Sequence, residues 1–201
     1  MLPRRQFFPF FPLIGIVRAK EIREVFMKRV VTGHDENGKA IFIKIGEPEH
    51  VVDTPGVLWK ELWATYPDDT IPVDATAEPS LSNKWKSVFP DLGESRVRVV
   101  TFDPSKSTDD IYDESVMNQR AKALPGLMEH MEPENEGMHT TDSVDYGVVI
   151  SGNPKLELDD GETVDLEPGD VVIQNGTRHA WRFKDDEVTT MLWVLIGTKR
   201  N

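Results

Sequence analysis

The last third of the chain is a regular series of short strand-like segments separated by turn residues. Between residues 146 and 196, runs of mostly apolar residues are interrupted at Gly152-Asn153-Pro154, Asp160-Gly161 and Pro168-Gly169. Runs of this length suit β-strands, and Asp-Gly and similar pairs are typical of tight turns between antiparallel strands. Many short strands at close spacing predict an all-β sandwich or barrel.

The first half of the chain repeats this pattern less regularly. Residues 28–34 and 40–45 flank Asn37-Gly38, which is a strong hairpin signal. Further strands are predicted at 56–65 and 96–102. Two polar stretches also lie before the C-terminal series. Residues 66–93 are predicted as a loop with one short helical turn. Residues 107–131 are predicted as partly helical, and Pro125-Gly126 ends the helical segment that reaches Leu124.

Residues 1–26 differ in character from the rest of the chain. Arg4-Arg5 precede an apolar run, 7–17, that contains two prolines and lacks a small-residue cleavage site, so it is a poor signal peptide. The run is too short to span a bilayer. We interpret 1–26 as an N-terminal extension that covers the barrel or a partner subunit, with the domain itself at 27–201, and we expect a cytoplasmic protein.

Composition excludes several functions. The 201 residues carry a formal net charge of −12, so nucleic-acid backbones and anionic membrane surfaces are disfavoured as partners. There is no cysteine, which excludes disulfides, zinc-thiolate sites and cysteine nucleophiles.

The candidate site residues lie near the two ends of the segment 137–183. If 139–145 is one extended strand, His139, Thr141 and Asp145 project from the same face. His179 and Trp181 share a face of a second strand. Two imidazoles and one carboxylate make a ligand set that suits a divalent transition metal such as Fe(II).

These motifs resemble those of the cupin superfamily, in which H-x-H, a later Glu and a second His bind a metal. Here His139 matches the first position, Thr141 replaces the second His, Asp145 replaces Glu, and His179 matches the late His. The resemblance implies a single jelly-roll barrel, with an N-terminal arm and a few short helices, that forms a homodimer. It implies catalytic and metal-binding roles for His139, Asp145 and His179, with Fe, Mn, Ni or Zn as the possible metal.

The resemblance is to small single-domain cupins of fungi and bacteria, some of them described as oxidoreductases of polyketide gene clusters. It implies an oxidoreductase acting on a polyketide-like or aromatic oxygenated metabolite. Two alternatives stay open. One is a metal-free dehydratase, isomerase or cyclase in which Asp145 orients His139 and raises its pKa. The other is a cupin that binds a small ligand without turnover.

Other residues are assigned from their neighbours in sequence. Thr141, Trp181, Met138 and His130 are predicted to contact substrate, the last two because methionines near His130 suit an irregular apolar wall. Tyr146 should point outward or into an interface. His34 is predicted to lie in a turn and His50 in solvent.

Overall fold

The computed structural model describes residues 27–74, 76–106 and 114–201. The extension predicted for residues 1–26 lies outside the described residues, so its role and the domain boundary at Met27 stay predictions. None of the described helices is long and apolar enough to cross a membrane.

Strands dominate the part of the chain that the structure describes. In chain order they are β1 (Arg29–His34), β2 (Ala40–Gly46), β3 (His50–Thr54), β4 (Val57–Thr65), β5 (Ser95–Phe102), β6 (Ser143–Ser151), β7 (Lys155–Glu157), β8 (Thr163–Asp165), β9 (Val171–Asn175), β10 (Ala180–Arg182) and β11 (Thr189–Gly197). The helices described are α1 (Glu114–Ala123) and α2 (Leu127–His130), with short 3-10 turns at Pro79–Leu81, Pro104–Lys106 and Asp159–Gly161.

The strands form antiparallel sheets around one core. The large sheet has the order β3-β4-β5-β11-β6-β9, and a smaller sheet has the order β10-β7-β8. Strands that are distant in sequence, such as β5 and β11, are neighbours, as in a jelly-roll barrel. The predicted all-β barrel is confirmed, and so are the predicted strands at 56–65 and 96–102.

The predicted hairpin between β1 and β2 is also present. One carboxylate oxygen of Asp35 accepts hydrogen bonds from the backbone N–H groups of Asn37 and Lys39, both at 2.9 Å. Gly38 has φ of 78°, a conformation that favours glycine, which explains why Asn-Gly closes this turn.

The core between the sheets is mostly apolar but includes buried polar groups, among them an ion pair. Trp59, Val100, Met191 and Trp193 are among the buried side chains that pack between the sheets. Beside them lie Glu61 of β4 and Arg98 of β5, on directly paired positions, with exposed fractions of 0% and 2%. Because water cannot reach a charged pair this deep, other groups of the protein must supply its hydrogen bonds.

The sequence-based prediction for His50 was wrong. His50 begins β3, a strand that was not predicted, and it is buried. Its ring contacts the edge of Trp85, with ring centroids 4.7 Å apart. The acidic segment before it suggested solvent exposure, whereas pairing of β3 with β4 places the imidazole inside.

The outer face of the β9–β6–β11 region is apolar. Outward positions on these strands carry Val171, Ile173, Val144, Tyr146, Val148, Ile150, Leu192, Val194 and Ile196. Tyr146 points outward as predicted and is 41% exposed. The solvent face of an antiparallel sheet is normally polar, so this apolar face is the candidate for the predicted contact between two copies of the chain.

This outer face is large enough to form the centre of an interface between two copies of the chain. β6 and β11 are about 30 Å long and β9 about 17 Å long, so at a spacing of about 4.8 Å the three strands present on the order of 400 Å². That is about half of the ~800 Å² that each partner buries in a standard interface. A flat apolar face can also match itself across a two-fold axis. The homodimer implied by the sequence therefore stays a prediction, now assigned to this face.

We expect I173D to convert a homodimer into a monomer, because Ile173 lies on this face, 56% exposed, and a carboxylate there would be buried against apolar groups. Light scattering after gel filtration measures the mass. V164D is the matched control, because Val164 is 50% exposed but lies on β8 of the other sheet.

A wild-type protein that is monomeric at micromolar concentration contradicts this assignment. If the chain dimerises only when it starts at Met27, the face is covered by the chain's own N-terminal residues instead. A dimer that survives I173D places the interface elsewhere.

Candidate functional site

His139 and His179 lie directly opposite each other in the barrel. The backbone N–H of each donates to the carbonyl of the other, at 2.9 and 3.0 Å, which is the pairing of two residues in an antiparallel ladder. The two side chains therefore project from the same side, and their ring centroids are 4.2 Å apart. This brings together the two histidines from the opposite ends of the segment 137–183.

Each imidazole is oriented by a backbone carbonyl two residues earlier. Nδ1 of His139 is 2.9 Å from the Gly137 oxygen, and Nδ1 of His179 is 2.9 Å from the Thr177 oxygen. A carbonyl oxygen can only accept, so each Nδ1 carries the hydrogen, and in the neutral ring Nε2 keeps its lone pair. Both rings thus offer Nε2 as a hydrogen-bond acceptor or base.

Both imidazoles are neutral near pH 7. Burial lowers the pKa of His139 from its ordinary value. Burial also lowers the pKa of His179, to about 4, and the neighbouring His139 adds to this effect. The site is therefore a pair of neutral proton acceptors in a water-poor environment.

Asp145 does not join this pair, contrary to the sequence prediction. The segment 139–145 is not one strand: His139 forms an isolated bridge, the chain bends at Asp142, and β6 begins only at Ser143. The face-sharing rule therefore fails between His139 and Asp145. The His139 Nδ1 atom is held by Gly137 rather than by a carboxylate, and the pKa of His139 is lowered rather than raised.

The predicted metal ligand set is not assembled for the same reason. Within the described residues, no group of three or more His, Cys, Asp and Glu side chains is placed to hold a metal ion. His139 and His179 provide two nitrogen donors, whereas Asp145 is inside the barrel on β6, opposite Gln174 and Leu195. The three predicted ligands, His139, Asp145 and His179, thus do not fit a two-His-one-carboxylate site.

Asp145 is instead a buried acid. Its Oδ1 atom has no hydrogen-bond partner in the described residues. Burial raises its pKa to about 6, an effect that the Ser143 hydroxyl and Arg98 only partly offset. The carboxyl group is consequently mostly ionised at pH 8 at the expense of folding stability, and protonated below pH 5.

We expect D145N to stabilise the protein at pH 8. The folded state binds the Asp145 proton more tightly than the unfolded state, so its favourable contribution is present below pH 4 and is lost as pH rises through about 6. The lost stability amounts to about 2–3 kcal/mol. Urea unfolding of both proteins at pH 4 and pH 8 measures it. A difference between them that does not change with pH contradicts the assignment.

Aromatic rings surround the imidazole pair. Trp181 lies edge-on to His179 with ring centroids 6.2 Å apart, and it also contacts Trp193 at 4.8 Å. Phe89 lies 6.2 Å from His139 and 4.6 Å from His130. Trp181 was predicted from its spacing to His179. Phe89 was missed because it belongs to the 66–93 loop, where no periodic pattern indicates which side chains turn inward.

The other predicted substrate residues are less directly placed. His130 packs against Phe89, and its Nδ1 atom is 2.8 Å from the Gly126 carbonyl oxygen. Thr141 is buried, and its hydroxyl oxygen accepts a hydrogen bond from Ser143 at 3.1 Å. Met138 is buried next to His139 in sequence. Contact of all three with substrate stays a prediction.

A cavity of about 400 Å³ opens beside Phe89 and His130. Its volume falls within the range of small-molecule sites. The residues that line it are Ser87, Phe89, Pro90, Asp91, Leu92, His130, Asp142, Thr198, Lys199 and Arg200. His139 and His179 do not line this cavity, whereas Phe89, whose ring centroid is 6.2 Å from that of His139, does.

Comparison with known proteins identifies relatives. The cupin domain model matches residues 127–195. Phomopsin biosynthesis cluster protein C' of Diaporthe leptostromiformis is 56% identical over 45 residues, 22% of this chain and 24% of that protein, so the chain matches about a quarter of its length. The cupin-domain-containing oxidoreductase virC of Hypocrea virens is 27% identical over 179 residues, 85% of this chain and 76% of that protein.

Among solved structures, the cupin domain of Schizosaccharomyces pombe Cnp3 superimposes with a TM-score of 0.43 and 6% identity, covering 85% of this chain and 87% of that domain.

Proposed function

Because the chain belongs to the cupin superfamily, we propose that it is a small-molecule enzyme of secondary metabolism, of the oxidoreductase type. We propose that it acts on a hydroxylated, largely apolar metabolite held at the His139–His179 pair. The observation that carries this proposal is the pair itself: two neutral imidazoles, 4.2 Å apart, with both Nδ1 atoms committed to backbone carbonyls.

The pair selects for a ligand that donates hydrogen bonds. Each Nε2 atom is an acceptor, and no hydrogen bond to either atom is found within the described residues. A ligand that buries these atoms must supply O–H or N–H groups, because a buried acceptor without a partner costs free energy. A substrate with one or two hydroxyl groups, such as a phenol or an alcohol, meets this requirement.

The surroundings of the pair favour an apolar body for the same substrate. Phe89 lies beside His139 and Trp181 beside His179, and Trp193 packs against Trp181 behind them. Aromatic walls with a few convergent polar groups are the usual composition of small-molecule sites. An aromatic or polyketide-like ring carrying hydroxyl groups fits both features.

The oxidoreductase class rests on the relatives. The virC protein, which is similar over most of this chain, is named a cupin-domain-containing oxidoreductase. Oxidation of an alcohol or a phenol removes the O–H proton together with electrons, which must pass to an acceptor that is not a residue of this chain, such as dioxygen. A neutral imidazole in a water-poor site is suited to accept that proton.

A second candidate is proton-transfer catalysis without redox chemistry, as in a dehydratase, isomerase or cyclase. The observation that favours it is the donor set, because the described residues supply two imidazoles to this site and no third ligand for a metal. His139 and His179 would then act as base and acid in turn.

Metabolite profiling of a producing strain tests both candidates. A strain that lacks this chain should accumulate the substrate, and the wild-type chain should restore the product. The difference in elemental composition between the accumulated substrate and the product identifies the reaction. Loss of two hydrogens indicates oxidation, loss of water indicates dehydration, and an unchanged composition indicates isomerisation. The accumulated compound is then supplied to the purified protein.

The variants H139A and H179A should each fail to restore the product, with a loss of about 100-fold or more in kcat/KM for the purified protein. H34A is the control, because His34 lies at the end of the exposed β1–β2 hairpin. Restoration by both site variants contradicts the assigned site. Binding of the compound without turnover by the wild-type protein, with dioxygen present as the electron acceptor, contradicts the enzymatic proposal.

A further inference from the structure

The residues after β11 run along the segment that carries His139. β11 pairs with β6 as far as Gly197 opposite Ser143. Beyond that point the backbone N–H of Thr198 donates to the Asp142 carbonyl at 2.8 Å. This contact extends the pairing toward His139 and brings Arg200 to the point where the His139 and His179 segments meet.

The Arg200 guanidinium joins these two segments. Its Nη2 atom donates to the Thr141 carbonyl at 2.7 Å and to the Gly176 carbonyl at 3.1 Å. Its Nε atom donates to the Asp142 carboxylate. Thr141 is two residues after His139, and Gly176 is three residues before His179.

Gly176 allows this close approach. It has φ of +61°, which favours glycine, and a Cβ atom there would lie 3.3 Å from the Thr141 carbonyl oxygen. The next residue, Thr177, provides the carbonyl that orients the His179 ring. The Arg200 contact with the Gly176 carbonyl therefore lies one residue before the Thr177 carbonyl that orients the His179 imidazole.

We propose that Arg200 is a positioning residue that fixes His139 and His179 relative to each other by cross-linking the Thr141 and Gly176 carbonyls. The proposal deepens the proposed function, because it concerns the same imidazole pair. The sequence motifs point only to the segment 137–183, and Arg200 lies outside it.

The chemistry of the contact requires arginine. A planar guanidinium presents several N–H groups in a fixed arrangement and can bond a carboxylate and two carbonyls at once. A lysine ammonium is a point charge on a flexible stem and cannot reproduce this geometry. The Arg200 and Asp142 side chains are 48% and 67% exposed, so their ion pair contributes little to global stability.

Imidazole NMR and amide hydrogen exchange test the proposal without a substrate. In the wild-type protein, the ¹⁵N shifts of His139 and His179 should show hydrogen on Nδ1 in both rings. In R200A, we expect both tautomers to be populated in at least one ring, and the His139 and His179 amides to exchange about ten-fold faster or more. Met191 in the middle of β11 should keep its exchange rate, which separates a local effect from general destabilisation.

Three variants sharpen the test. R200K keeps the charge but should behave like R200A. D142N removes the ion pair and leaves both carbonyl contacts, and K199A removes a neighbouring charge, so both should behave like the wild type. Unchanged tautomers and exchange rates in R200A overturn the proposal, and so does an equal effect of K199A.

The outcome is independent of the proposed reaction. If R200A disturbs the imidazoles while metabolite profiling finds no reaction, the positioning role stands and the proposed function fails. If H139A abolishes turnover while R200A leaves both imidazoles unchanged, the function stands and the positioning role fails.

Discussion

Replacing Arg98 by alanine is expected to lower the free energy of unfolding by about 3–5 kcal/mol, because it leaves the buried Glu61 carboxylate without its counter-charge. Arg98 Nε lies 3.2 Å from Glu61 Oε2, and the guanidinium also covers the Trp59 ring at 4.4 Å and donates to the Val88 carbonyl. Glu61 in turn accepts a hydrogen bond from Trp59 Nε1 at 3.0 Å. Urea unfolding measures the change.

The double variant E61L/R98M separates the loss of a charge from the loss of packing. It removes both charges and keeps most of the side-chain volume, so it should recover most of the stability lost in R98A. The exposed Lys84–Asp68 pair is the matched control, and K84A should cost less than about 1 kcal/mol. If R98A lowers the free energy of unfolding by no more than K84A does, the prediction that loss of the buried counter-charge is strongly destabilising is wrong.

The second large effect is expected for G197A, which should destabilise the protein by on the order of 3 kcal/mol. A Cβ atom at this position would lie 1.8 Å from the backbone oxygen of Asp91. A backbone carbonyl cannot move without disturbing the hydrogen bonds of Gly197 with Gly93 and Glu94. Thermal and urea unfolding give the magnitude.

G33A is the control for G197A. At Gly33 the added Cβ would meet the Cγ1 and Cδ1 atoms of Ile43, both at 2.7 Å, and this side chain can change its rotamer, whereas a backbone carbonyl cannot. G33A should therefore cost less than about 1 kcal/mol. Equal effects of the two substitutions would show that the Asp91 backbone adapts.

Local chemistry made much of the fold predictable. Asn37-Gly38, Asp160-Gly161 and Pro168-Gly169 mark chain reversals whose backbone angles are restricted, so the strand boundaries between them followed from sequence. The β3 strand was missed because its apolar stretch is short and follows acidic residues. The burial of His50 depends on pairing with β4, which is not a local property.

The site was predictable only in part, for a similar reason. His139 and His179 come together because their backbones pair, which the motifs at both ends of 137–183 indicated. Asp145 does not join them because the chain bends at Asp142, where Thr198 and Arg200 contact it. These contacts come from residues more than fifty positions away, and neither strand periodicity nor motif spacing contains them.

The distance between the two imidazole rings also limits how much charge the site can hold. With ring centroids 4.2 Å apart, a proton on one imidazole places a positive charge beside the other and makes its protonation less favourable. The two rings therefore titrate as a coupled pair with macroscopic pKa values. On acidification, a proton on His139 therefore opposes protonation of His179, whose pKa the neighbouring ring already helps to lower.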